Sequence, residues 1–112
     1  MKILKRKEFL KMPYGTIYQS YEPCNFGHLQ IKYENSGDND FSLQDLTTRA
    51  IKCDGYQDLW EKLDDAENLG ARLEMDFDCC QREGMFLMDS ALYAVWEKPD
   101  IEALIKKLTE CL

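Results

Sequence analysis

Glu74, Asp76 and Asp78 alternate along one short stretch of the chain. On an extended strand, residues two apart share a face about 7 Å from one another. Carboxylates so placed can share a divalent cation or divide acid and base roles between them. Metal-dependent nuclease sites add a lysine close by, whereas the next cation here is Arg82, expected in a loop. The pattern therefore reads as a solvated strand face, with no catalytic residue assigned. Cys24 and His28 have three residues between them, and Cys79-Cys80 could bring the thiol and imidazole ligands to four. No Cys-x-x-Cys knuckle is present and His28 is the one histidine, so no metal is expected. A calcium loop opening at Asp38 would need glycine sixth and glutamate twelfth, where Leu43 and Arg49 stand. No cofactor is expected, and the sequence does not read as an enzyme.

Two sets of residues point to binding instead. The first is acidic. The chain carries 14 basic and 21 acidic residues, a net charge of −7. Residues 1–13 are basic, at +4, while residues 54–89 reach −8. Asp58, Glu61, Asp64 and Asp65 concentrate that charge on one expected helix and form the candidate partner-binding face. Such a surface is repelled by nucleic acid and by anionic membrane, and suits a basic protein surface. The second set is the alternative. Seven aromatic residues fall within the first 41 positions, close to the basic N-terminal segment. Tyr14, Tyr18, Tyr21, Phe26, His28 and Arg49 could line a pocket in which rings stack a base and cations hold phosphate.

The elements that would position these residues follow from periodicity. Residues 5–12 read as a short helix with Phe9 and Leu10 inward, stopped by Pro13. Residues 15–21 and 28–33 read as strands joined by a turn over 22–27, and residues 35–40 as a loop. Strands are expected at 41–46 and 49–53. Asp54 is the expected N-cap of a helix over 55–68, closed by Gly70. Its apolar stripe is Tyr56, Leu59, Trp60, Leu63 and Ala66. Residues 71–79 show the cleanest alternation and read as a strand, followed by a loop over 81–84. A further strand is expected at 90–97, central because both faces are apolar. Pro99 opens a last helix with Ile101, Leu104, Ile105 and Leu108 as its stripe. The fold class is α+β: a single domain over residues 1–112, with a mainly antiparallel sheet of about five strands. Two main helices and a short N-terminal one complete it, the helices on one face of the sheet.

No apolar run approaches the roughly 20 residues of a membrane span, and residues 1–7 are charged with no apolar region following. Five cysteines, an odd number, suit reduced thiols. Phosphate-loop and dinucleotide-binding glycine motifs are missing. These features lead to the expectation of a soluble, cytoplasmic protein. An exposed strand edge or the C-terminal helix could support a homo-oligomer.

Several strings carry a resemblance. They are Phe9-Leu10-Lys11-Met12-Pro13-Tyr14-Gly15-Thr16-Ile17-Tyr18, Tyr21-Glu22-Pro23-Cys24-Asn25-Phe26-Gly27, Asp40-Phe41, Met75-Asp76-Phe77-Asp78-Cys79 and Ala94-Val95-Trp96-Glu97. Together they resemble small accessory proteins of tailed bacteriophages and prophages. The resemblance implies a bacterial host cytoplasm and a counter-defence or host-takeover role exercised by binding, with no catalytic residue to carry over. The acidic run over 54–67 and the doubled Cys79-Cys80 are particular to this sequence. The expected function is inhibition of a host protein through the acidic face; the alternative is sequestration of a signalling nucleotide.

Overall fold

The structure is a computed structural model that describes residues 1–78, 81–83 and 90–112. Its centre is a six-stranded antiparallel sheet. In chain order the elements are β1 (Lys2–Lys5), α1 (Arg6–Phe9), β2 (Thr16–Glu22), β3 (Asn25–Asn35), β4 (Phe41–Asp45), α2 (Tyr56–Leu69), β5 (Gln81–Glu83), β6 (Leu92–Val95) and α3 (Lys98–Glu110). The strands lie in the order β1-β6-β2-β3-β4-β5. The α+β architecture, the main helices and the four inner strands agree with the sequence pattern, and β6 is central as its two apolar faces require.

The core forms where α1 meets the sheet. Thr16, Tyr18, Tyr93, Val95, Phe41 and Leu43 are buried from their strands. Phe9, fully buried on the single-turn α1, stacks on Tyr93 with ring centroids 4.1 Å apart and meets Tyr18 at 4.6 Å. Phe41 closes the cluster edge-on to Phe9 at 5.2 Å. Arg6 is drawn in beside these rings. Its guanidinium donates to Tyr93 Oη at 2.6 Å and to the Asn39 carbonyl, and lies 5.8 Å from the Phe41 ring centroid. A buried cation needs such partners to offset its lost hydration.

Several elements differ from the sequence reading. β1 was not expected. Its lysines at both ends suit an exposed sheet edge, where charge blocks further pairing. The 22–27 turn tightens to Pro23-Cys24, with Cys24 at φ 65, so β3 begins at Asn25. The expected strands at 49–53 and 71–79 reduce to one bridge between Ile51 and Met75. Arg49, at φ 64, turns the chain out of extended geometry before the first can form. Residues 81–83, expected as loop, pair with β4 as an edge strand. Cys79, Cys80 and Gly84 lie outside the described residues. The expected N-cap, Asp54, gives way to Gly55 at φ 94, and the Asp58 carboxylate instead accepts the Asp54 N–H at 2.7 Å. Gly70 ends α2 at φ 69, where glycine meets no Cβ penalty.

The largest departure concerns the helices. Among the described residues α1 makes the main helix contacts with the sheet, and no residue of α2 or α3 is fully buried, though Leu59, Leu63, Ile101 and Leu104 are half-buried. Among these residues the two main helices therefore do not form the expected closed layer over a sheet face. α3 is anchored at its start by a capping box between Glu97 and Asp100, and the Met1 amine lies 2.7 Å from Asp100 Oδ2. β1 thus holds the root of α3 beside β6.

Candidate acidic interface

α2 projects its charge because of its spacing. Asp58, Glu61 and Asp65 recur at i, i+3 and i+7, which places them on one helix face, and Asp64 flanks it. The apolar stripe of Tyr56, Leu59, Trp60 and Leu63 lies opposite. Glu61, Asp64 and Asp65 are exposed. Their neighbours are neutral: Gln57 Nε2 donates to Glu61 at 3.1 Å, and Asn68 Nδ2 donates to Asp64 Oδ1 at 2.8 Å. Among the described residues, none of these three carboxylates has a cation partner. Asp58 differs. It receives the Asp54 N–H and pairs with Lys62 at 3.2 Å. The Asp54 amide, then Lys62, hold its carboxyl below the ordinary aspartate range. Lys62 also donates to the Lys52 carbonyl at 2.9 Å, tying the helix to the preceding chain. Asp58 is therefore a helix-start residue, while Glu61, Asp64 and Asp65 are open for contact.

The six residues of the alternative set are not brought together. Tyr18 is 1 % exposed and belongs to the core, so its ring is closed to a ligand. Tyr14 stacks on Tyr33 at 4.8 Å near the start of β2. Tyr21 meets Phe26 at 5.2 Å at the other end of the same strand, whose Thr16 and Tyr21 stand about 17 Å apart by strand rise. His28 lies on β3 and Arg49 beyond β4. What the sequence does assemble is the cation cluster. A cleft of about 650 Å³ between α1 and the 35–39 loop is lined by Arg6, Lys7, Lys11, Asn35, Asp38 and Asn39. Arg6 is committed to Tyr93 and Asn39 and Lys11 lies 3.7 Å from Glu8, which leaves Lys7 as the cleft's charge with no carboxylate partner among the described residues. The run Lys5-Arg6-Lys7 with Lys11 was the signal for this cleft, and the loop's share in it was not readable locally.

The carboxylates of 74–78 turn to the backbone and to solvent. Asp76 Oδ1 accepts the Asp78 N–H at 2.9 Å, and Glu74 lies 3.6 Å from Lys52. Among the described residues, no three histidine, cysteine or acidic side chains converge as a metal site would require. Cys24 is exposed at its turn. No helix among the described residues is long and apolar enough to cross a membrane.

The chain matches no protein-family model, no curated protein and no solved structure.

Proposed function

We propose that this protein acts by binding, docking the acidic face of α2 on a basic surface of a host protein and so inhibiting it. The observation that carries the reading is the set of exposed carboxylates on Glu61, Asp64 and Asp65, uncompensated by any cation among the described residues. The helix face that carries them is open, with Glu61, Asp64 and Asp65 all exposed. Their spacing imitates the dense negative charge that a nucleic-acid-binding surface attracts. The resemblance to phage accessory proteins supplies the setting, a bacterial cytoplasm and a counter-defence or host-takeover target.

The test is a comparative pull-down from bacterial lysate using the tagged protein and its Glu61→Lys, Asp64→Lys, Asp65→Lys variant. Asp58 is kept because it starts the helix. The reading expects one stoichiometric protein on the wild type, released by high salt and missing from the variant, with the circular dichroism of the two chains unchanged. Equal capture by both chains would sink it. The second reading rests on the cleft beside Lys7, open to a phosphate-bearing ligand that would compete with Glu8 for Lys11. It expects a melting temperature that climbs with nucleotide concentration; a flat response across a nucleotide panel removes it.

A further inference from the structure

α2 and α3 are amphipathic, and among the described residues neither stripe is fully covered: Leu59, Leu63, Ile101 and Leu104 are half-buried, and the rest stand open. Tyr56 is 71 % and Trp60 66 % exposed on α2; Ile105 and Leu108 are each 59 % exposed on α3. Large apolar side chains left open in register on two helices mark an interaction surface. The dimensions of the chain say how much is missing. Its radius of gyration is 16.0 Å, against about 13 Å for a compact domain of this length. Its accessible surface is 8279 Å². A compact monomer of this mass exposes about 6,400 Å². Summed over the whole chain, the excess of about 1,900 Å² is of the size, roughly 1,000–2,500 Å², that each protomer of an obligate homodimer buries.

We infer that the apolar stripes of α2 and α3 form a homodimer interface, each covered by a second copy of this chain. Charge selects the pairing. α2 carries −4, so laying it on its own copy would set like charges together. α3 is neutral, its Lys98, Lys106 and Lys107 balancing Asp100, Glu102 and Glu110. α2 of one protomer on α3 of the other avoids that repulsion, and a two-fold axis makes the contact twice. The helices match in length, at 14 and 13 residues, about 20 Å each. An anionic membrane does not fit as the cover, because the acidic residues flanking the α2 stripe would be pressed against like charge. In the dimer, Glu61 and Asp65 stay on the outer face, so the acidic surface is presented in two copies.

Sedimentation equilibrium of the full chain over about 1–500 μM tests the inference. Twice the 13.1 kDa chain mass is expected for the wild type. Trp60→Asp and Leu108→Asp should each return the mass to a single chain. Both sites are exposed and remote from the Phe9 cluster, so the aromatic near-ultraviolet signal of the core reports that each variant is folded. A wild type of one chain's mass throughout this range overturns the proposal. Hydrogen exchange then identifies the cover: protected α2 amides mean that the chain covers itself, and fast exchange means that a different protein does. A dimer that both folded variants leave intact, or an assembly that grows without limit, overturns it equally.

Discussion

At the residue scale, the molecule depends on a few side chains that sit where their types are costly. Phe9 contributes the centre of the core from a helix of one turn, too short to be stable by its own hydrogen bonds. Phe9→Ala should cost about 3–5 kcal/mol, enough to release α1 from the sheet. Urea unfolding measures it, and a loss below about 1 kcal/mol would show that the ring is not central. Lys32 is the opposite case. It is 2 % exposed, its ammonium donating to the Tyr33 carbonyl at 3.2 Å and to Asn35 Oδ1 at 2.9 Å. Burial pushes its pKa below 10.5. The folded chain therefore gives up this proton at a lower pH than the unfolded chain does. In that window the unfolded state holds more protons, so stability rises with pH. Below the folded pKa the cost of the buried charge is fully present. Lys32→Met removes this dependence. Its stability relative to the wild type should be greatest near neutral pH and shrink as pH climbs toward 10.5, as read by urea midpoints. A constant difference would mean that the ammonium is not desolvated.

At the element scale, what could be read from the sequence was what local chemistry decides. The alternation at 28–33, the stripe of 56–66 and the Pro99 start each specify an element by spacing within one segment, and each formed. The sharper alternation at 71–79 did not make a strand over its described residues, because a strand also needs a partner edge, and here pairing with residues 50–52 stops at the single Ile51–Met75 bridge. β5 has a weaker pattern but lies against β4. Sheet membership is decided between segments, which is also why charged β1 escaped notice. The candidate site divides in the same way. The acidic face of α2 followed from helical spacing alone. The aromatic pocket required distant rings to converge, and the core claimed Tyr18 while β2 carried Tyr14 and Tyr21 to opposite ends. Asp58 shows a finer limit: its carboxylate counts equally in any charge tally, yet its bond to the Asp54 amide commits it to starting the helix. Single reversals should reflect this. Asp58→Lys should lower helicity, whereas Asp65→Lys should leave it unchanged, as far-ultraviolet circular dichroism would show. Equal losses would place Asp65 in the helix's own support.

At the scale of the whole molecule, two contacts are proposed for one acidic chain, and salt acts on them in opposite directions. Two copies that each carry −7 repel one another as they approach. Their association is held by apolar stripes, which salt does not weaken. Raising salt from about 0.1 to 1 M shortens the screening length from about 10 to 3 Å and removes most of the repulsion between exposed charges. Self-association should therefore hold or tighten over this range. Docking of the outer carboxylates on a basic partner depends on the attraction that the same salt screens, and should weaken by about tenfold or more. Sedimentation gives the first constant. Binding of the captured partner to immobilised protein gives the second. A dimer that dissociates with salt would mean that charge rather than the Trp60 and Leu108 surfaces holds it. A partner that binds equally well at high salt would move its contact off Glu61, Asp64 and Asp65 and onto an apolar surface.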